Sequence, residues 1–328
     1  MSDQDWVAQF NDALQSWDKR FIIASDDVDG LLSASLMEHV FGARLIGVYG
    51  TTNLLLFDGF TTESAIDALW VDHDISHPGI ICMGQHIVRI RVNDQLPTRH
   101  RPNFNPNLVW PRAWENCFKG KGEGKGEDKY PFATIHFLMR GLSIEDPPKY
   151  TEAYSLLAHA DGSWVTPLDY PDNCKIWLSR MFEGQDGLVK DLVNRTYTDS
   201  DSLQAHSKVL SKLKEAGINP GRSRNNPSNA IPQGWSGIEG HQKVGFARNH
   251  NRERWMIKFR NVLSYISSTM GWKVDLPQQV TQVISGNASP EFPDRIQNLD
   301  EWMVENEVFS HAIIDRNRIR YTTDLDLT

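Results

Sequence analysis

Four short apolar runs in this chain break off in carboxylates, imidazoles or both, and that recurrence constrains the fold more than any other feature. FIIA (Phe21 to Ala24) runs into Ser25-Asp26-Asp27-Val28-Asp29-Gly30, and ALWV into Asp72-His73-Asp74, with His77 close behind. IICM runs into Gly84-Gln85-His86, and SLLA into His159 and Asp161. After the first run, LLSASLMEHVFG carries small and apolar residues at helical intervals and closes on Gly42, and ARLIGVYG reads as the next strand. Strand, helix and strand in that order predict parallel βαβ units. In an open α/β sheet ligands bind beyond the C-terminal ends of the strands, so acidic residues at those ends stand where a ligand would be held.

Residues two apart on an extended segment point the same way, so Asp27 and Asp29 can face one site. Carboxylates gathered together repel one another, and a hard divalent cation such as Mn²⁺ or Mg²⁺ relieves the repulsion. A helix N-cap role for Asp26 or Asp27 is the alternative at the first run, and a strand end with a turn at His77-Pro78-Gly79 is the alternative at the second. Four such endings are accounted for together by two metal ions that share one carboxylate and an activated water.

The rest of the chain sets the frame. Trp6, Phe10, Leu14 and Trp17 recur at helical spacing over residues 4–18. Helical patterning returns in YPFATIHFLMRGL and TEAYSLLAHA, while ERWMIKFRNVLSYISSTMGW fits a strand or a helix. Lys119 to Lys129 reads as a surface loop, and residues 216–238 as an interdomain or active-site loop. We therefore expect two domains, 1–215 and 216–328. A formal net charge of −8 argues against a broad basic face for duplex nucleic acid, though not against a local basic channel. Cys82, Cys117 and Cys174 form no CxxC pair, which argues against a zinc ribbon or a disulfide framework. The opening MSDQDWVAQF has no basic-then-apolar leader, and no apolar run is long enough to span a bilayer, so a cytoplasmic protein without membrane contact is expected.

These motifs resemble the DHH phosphoesterase superfamily, and its RecJ-type single-strand exonucleases most closely. SDDVDGLLSASL is similar to the first motif, with Asp27 and Asp29 matching its second and third aspartates and Ser25 standing where the first would be. WVDHDI is similar to the second motif, which makes Asp72 the metal-bridging aspartate. Gly84-Gln85-His86 occupies the place of the Asp-His-His motif, with His86 near the scissile phosphate and Gln85 replacing a ligating histidine. Taking Val71 to Asp74 as that motif instead would force Asp58 into the second and leave too little chain between them. LPTRHRPNFNPN and SLLAHADGSWVTPLD are similar to later segments of the family, and Asp161 matches the fourth-motif aspartate. GIEGHQKVGFA resembles, one residue short, the glycine-rich signature of the family's second domain.

The resemblance implies an α/β fold, a parallel-sheet DHH-type N-terminal domain with a smaller C-terminal α+β domain. It implies two Mn²⁺ (or Mg²⁺) ions held by Asp27, Asp29, Asp72, His86 and Asp161, with Asp72 and His86 in catalytic roles. Substrate contacts from the C-terminal half would fall to Arg222, Arg224, His241, Lys243 and Arg248, with Arg252 and Arg254 nearby. Trp110, Trp114, Trp235 and Trp255 are candidates for base stacking and, more simply, for packing. The implied activity is hydrolysis of phosphodiester bonds in a single-stranded nucleic acid or oligonucleotide. The alternatives are a small-nucleotide phosphodiesterase or pyrophosphatase, and a DHH-fold binding protein that has lost catalysis, which Ser25 and Gln85 favour.

Overall fold

The computed structural model describes residues 4–91, 93–94, 103–110, 129–219, 237–238, 249–315, 318–323 and 325–327. Its centre is a seven-stranded sheet. In chain order the first six strands are Phe21–Ala24 (β1), Arg44–Tyr49 (β2), Asn53–Phe57 (β3), Leu69–Val71 (β4), Ile81–Met83 (β5) and Asn103–Phe104 (β6). Ile218–Asn219 (β7) and Gly237–Ile238 (β8) form a separate antiparallel pair, and Val280–Ser285 (β9) returns to the large sheet. The order is β6-β5-β4-β1-β2-β3-β9.

β1 lies parallel to both β2 and β4, and β4, β5 and β6 continue in parallel. The connection from β1 leads to β2 on one side and that from β4 leads to β5 on the other, so a switch point opens between β1 and β4 at their C-terminal ends. The expected parallel sheet is in fact mixed, because β3 runs antiparallel to β2 and β9 antiparallel to β3. The cause is local: only Gly50, Thr51 and Thr52 separate β2 from β3, too few residues for a parallel crossover.

Strand alternation divides the core into two layers. Ile22, Ala24, Leu69 and Val71 face one apolar layer, and Ile23 and Trp70 face the other. Burial on both faces explains why these strands read as unbroken apolar runs. The helix Val28–Phe41 lies in the first layer and is buried from Val28 to Glu38, which accounts for its small and apolar residues all round. Gly42 ends it with φ 67°, as the sequence predicts. The expected helices at residues 4–18, in YPFATIHFLMRGL and in TEAYSLLAHA appear as Gln4–Ser16, Thr134–Gly141 and Glu152–His159.

Beyond residue 216 the chain contributes to the core helices and to both larger sheets. ERWMIKFRNVLSYISSTMGW is helical, within Asn249–Met270, and buries Trp255, Phe259, Val262, Leu263 and Ile266 in the first layer. The next segment, β9, completes the large sheet. A smaller sheet-and-helix region follows. Asn287–Glu291 (β10), Ser310–Asp315 (β11) and Arg318–Thr323 (β12) pair antiparallel in the order β10-β12-β11, backed by the helix Leu299–Glu305. Leu299, Met303, Val308 and Ile319 share an apolar cluster with Ile90. Ser76 N–H donates to Phe309 O at 2.6 Å, and Thr322 Oγ1 donates to Thr51 O, so this region clamps over the loops that follow β4 and β2. Among the described residues no helix is long and apolar enough to cross a membrane. Cys82 and Cys174 are buried.

Candidate metal centre

The C-terminal ends of β1, β4 and β5 deliver their polar residues to one place. Asp27 caps the helix Val28–Phe41 by accepting from Gly30 N–H at 3.0 Å, so the N-cap role is real. The same oxygen faces Ser25 Oγ at 2.8 Å, and Ser25 Oγ lies 2.5 Å from Asp72 Oδ2. A single hydroxyl proton therefore stands between two carboxylates. A Cβ at Gly30 would fall 2.0 Å from Ser25 Oγ, so glycine is what lets the helix start this close to the cluster.

Asp72 Oδ1 contacts His86 Nε2 at 2.9 Å and accepts from Thr134 Oγ1 at 2.9 Å. Gln85 Nε2 donates to Asp161 Oδ2 at 2.5 Å, which draws the fourth run to the third. Asp72, His86 and Asp161 each present a ligand atom, and these atoms lie within 4.8 Å of one another; Asp72 is buried and the other two are half-buried, a set able to hold a metal ion. Asp72 and Asp161 both have positive φ, 59° and 50°, a conformation that few non-glycine residues adopt and that aspartate tolerates better than most. Such backbone outliers persist where the surrounding fold over-determines them, commonly at functional sites.

Other acidic residues are engaged differently. Asp29 Oδ2 accepts from Thr134 N–H at 2.7 Å and Oδ1 from Ile135 N–H at 2.9 Å, so its carboxylate caps the helix Thr134–Gly141. Asp74 accepts from His86 N–H at 2.7 Å, Ile87 N–H at 3.1 Å and Asn105 Nδ2 at 2.8 Å. These bonds turn the chain away from the sheet and end β5 at Met83, well before the end of the apolar pattern IICMGQHIVRI. Asn107 Nδ2 donates to Gln85 O at 2.9 Å, so the Asn-Pro-Asn segment braces the loop that carries Gln85 and His86.

Electrostatics shows a cluster short of positive charge. Burial, then Asp72 and Asp161, raise Asp27 well above the usual carboxylate range. Asp161 is pushed up to about 6 by burial and by the Asp72 charge. Burial would raise Asp72 as well, but His86, with help from Ser25, pulls it down to about 2. Burial opposes a charge on His86, yet Asp72, Asp161 and Asp74 hold it up at about 10. In effect a proton on His86 does the work of a counter-ion among crowded carboxylates.

His73 completes the floor of a cavity of about 60 Å³ that Asp26, Asp27, Asp72 and His86 also line. Burial lowers its pKa to about 4, so the ring is neutral. Its Nε2 is buried without a hydrogen-bond partner, while the other nitrogen bonds the Ala24 backbone. A proton on that other nitrogen leaves a lone pair on Nε2.

The remaining candidates scatter. His77 accepts from Gly79 N–H at 3.1 Å in the expected turn and lines a different groove. His159 packs 5.5 Å from His206 in an aromatic cluster. Trp110 packs edge-on against Trp177, and Trp255 stacks on Phe259 in the core. Arg252 lines a groove with Met256 and Arg260 that shares no residue with the acidic cavity. Arg222, Arg224, His241, Lys243 and Arg248 lie outside the described residues, as do Cys117, Trp114, Trp235, the GIEGHQKVGFA signature beyond Gly237 and Ile238, and the Lys119–Lys129 segment up to residue 128.

Sequence reasoning missed the roof of the cavity, formed by Ser310, Ala312, Arg320 and Thr322. It also missed Thr134, whose hydroxyl and backbone N–H tie Asp72 to Asp29. Thr134 could have been suspected from its place at the start of a predicted helix, but the roof residues carry no local signal. No family model, no curated protein and no solved structure matches this chain.

Proposed function

We propose that this chain is a divalent-metal-dependent phosphoesterase of the DHH type, acting on a single-stranded nucleic acid or an oligonucleotide. The observation that carries the reading is the Asp72, His86 and Asp161 set at the sheet's switch point. Two carboxylates and one imidazole suit Mn²⁺, with Mg²⁺ the harder alternative. The residues fit such an ion on chemical grounds: burial and mutual repulsion raise Asp27 and Asp161 above the usual carboxylate range, a cost that a cation offsets, and the neutral His73 Nε2 offers a further donor. A second ion would draw on Asp27 and His73 and share Asp72.

When bound, divalent cations lower the pKa of coordinated water and offset charge on phosphoryl oxygens. The chain's own groups do the rest. Thr134 and Ser25 fix the orientation of Asp72 through its two oxygens. Gln85 fixes Asp161, and Asp74 fixes the backbone of His86. Such supporting bonds hold ligands in place and tune their basicity. Ser25 and Gln85, which stand where the resembled family carries ligands, thus act as positioning residues.

The test is a panel of labelled single-stranded DNA and RNA, dinucleotides and inorganic pyrophosphate, incubated with the full chain and Mn²⁺. Turnover of single strands, abolished by a chelator and restored by Mn²⁺, supports the reading. Turnover of pyrophosphate or dinucleotides alone transfers it to a small-nucleotide enzyme. No turnover of any substrate leaves a metal-binding protein without this chemistry.

A further inference from the structure

The acidic cavity has one wall of opposite character. In the roof, Ser310 pairs with Thr322 and Ala312 with Arg320 across β11 and β12. Alternation along β12 puts Arg320 and Thr322 on one face and Ile319 and Tyr321 on the other. The second face packs against the helix Leu299–Glu305, with Tyr321 edge-on to Trp302 at 4.9 Å and Ile319 clustered with Met303. The first face lines the cavity. Arg320 makes no ion pair among the described residues, and its charge reaches Tyr49, whose hydroxyl pairs with Ser310 at 2.8 Å. A guanidinium thus lines the same small cavity as Asp26, Asp27 and Asp72, yet makes no ion pair with them.

A cation alone would answer the floor and leave the guanidinium beside another positive charge. A tetrahedral oxyanion between the two answers both, because it can offer oxygens to a metal below and to a planar donor above. A cavity of about 60 Å³ holds on the order of four waters, enough for a phosphoryl group. Resting on the phosphoesterase reading, we infer that Arg320 is a substrate-binding residue that holds a terminal phosphoryl group from the roof while the acidic floor meets the same group through bound cation.

Calorimetric titration of inorganic phosphate into the Mn²⁺-loaded full chain tests this. Wild type binds phosphate, Arg320→Gln weakens binding tenfold or more, and Arg320→Lys retains part of it, because a lysine keeps the charge and loses the fork. Mn²⁺ affinity is weakened in neither. Ala312→Glu, which sets a carboxylate directly across from Arg320, produces the same loss of phosphate binding and serves if Arg320→Gln does not fold. Phosphate affinity unchanged in the folded variants, or no phosphate binding by wild type, overturns the inference. Phosphate binding that depends on Arg320, with no turnover of any phosphate ester, keeps the subsite and removes the phosphoesterase reading.

Discussion

The floor and the roof of the central cavity are built on opposite plans. The floor comes from the ends of parallel strands within the first 90 residues, and it gathers Asp26, Asp27, Asp72 and His73 where charge is costly to bury. The roof comes from the antiparallel strands β11 and β12, and it brings one arginine among small and hydroxyl side chains. Each wall alone is electrostatically unfinished. Their juxtaposition teaches that the sheet edge concentrates negative charge for a cation, and that the later region closes over it with a donor for an anion.

The largest effect is expected within the floor. Asp72→Ala removes the residue that contacts Ser25, Thr134 and His86. It should cut metal-dependent turnover on the order of a thousandfold or more, measured as kcat on the best substrate. Its melting temperature without metal should fall only in part, because the lost pairing with His86 is partly offset by relief of repulsion with Asp27 and Asp161. Asp74→Ala contrasts with it. That carboxylate accepts three hydrogen bonds and braces the loop, so its loss strands buried donors and should cost about 3 kcal/mol in denaturant unfolding. Equal destabilisation by both substitutions would break the distinction between a ligand and a brace.

A smaller effect is expected at a buried carboxylate remote from both walls. Glu38 is pushed up to about 7 by burial, and it accepts from Leu45 N–H at 2.9 Å. Its folded-state pKa lies above the unfolded value, so its contribution to stability is complete below about 4.5 and is lost as pH rises through about 7. Glu38→Gln keeps the acceptor and removes the charge. It should stabilise the fold by about 2 kcal/mol at pH 8 and by almost nothing at pH 4. Stability of wild type and variant that runs parallel across this range would show that burial does not hold the Glu38 proton.

The two walls also differ in how far the sequence discloses them. Residues at a strand end announce themselves by the break from apolar to acidic, and Asp27, Asp72, His86 and Asp161 stand close together in the fold. Two acids in the same motifs also carry backbone hydrogen bonds that the sequence does not announce, Asp29 to the start of the helix Thr134–Gly141 and Asp74 to the loop after β5. The roof depends on long-range pairing, Arg320 with Ala312 and Thr51 with Thr322, which no local period records. The sheet was legible where β1, β2 and β4 are buried on both faces. It was not legible at β3 and β9, where a three-residue turn and a distant segment reverse the strand direction.

The most direct test of the whole account is a calorimetric titration of Mn²⁺ into the metal-free chain, with Asp72→Ala alongside. The account predicts at least one ion bound per chain by wild type, with protons released as His86 and the carboxylates give way, and no such binding by the folded variant. Wild type that binds no Mn²⁺, or a folded variant that binds it equally well, would contradict the claim that this cluster is a cation site.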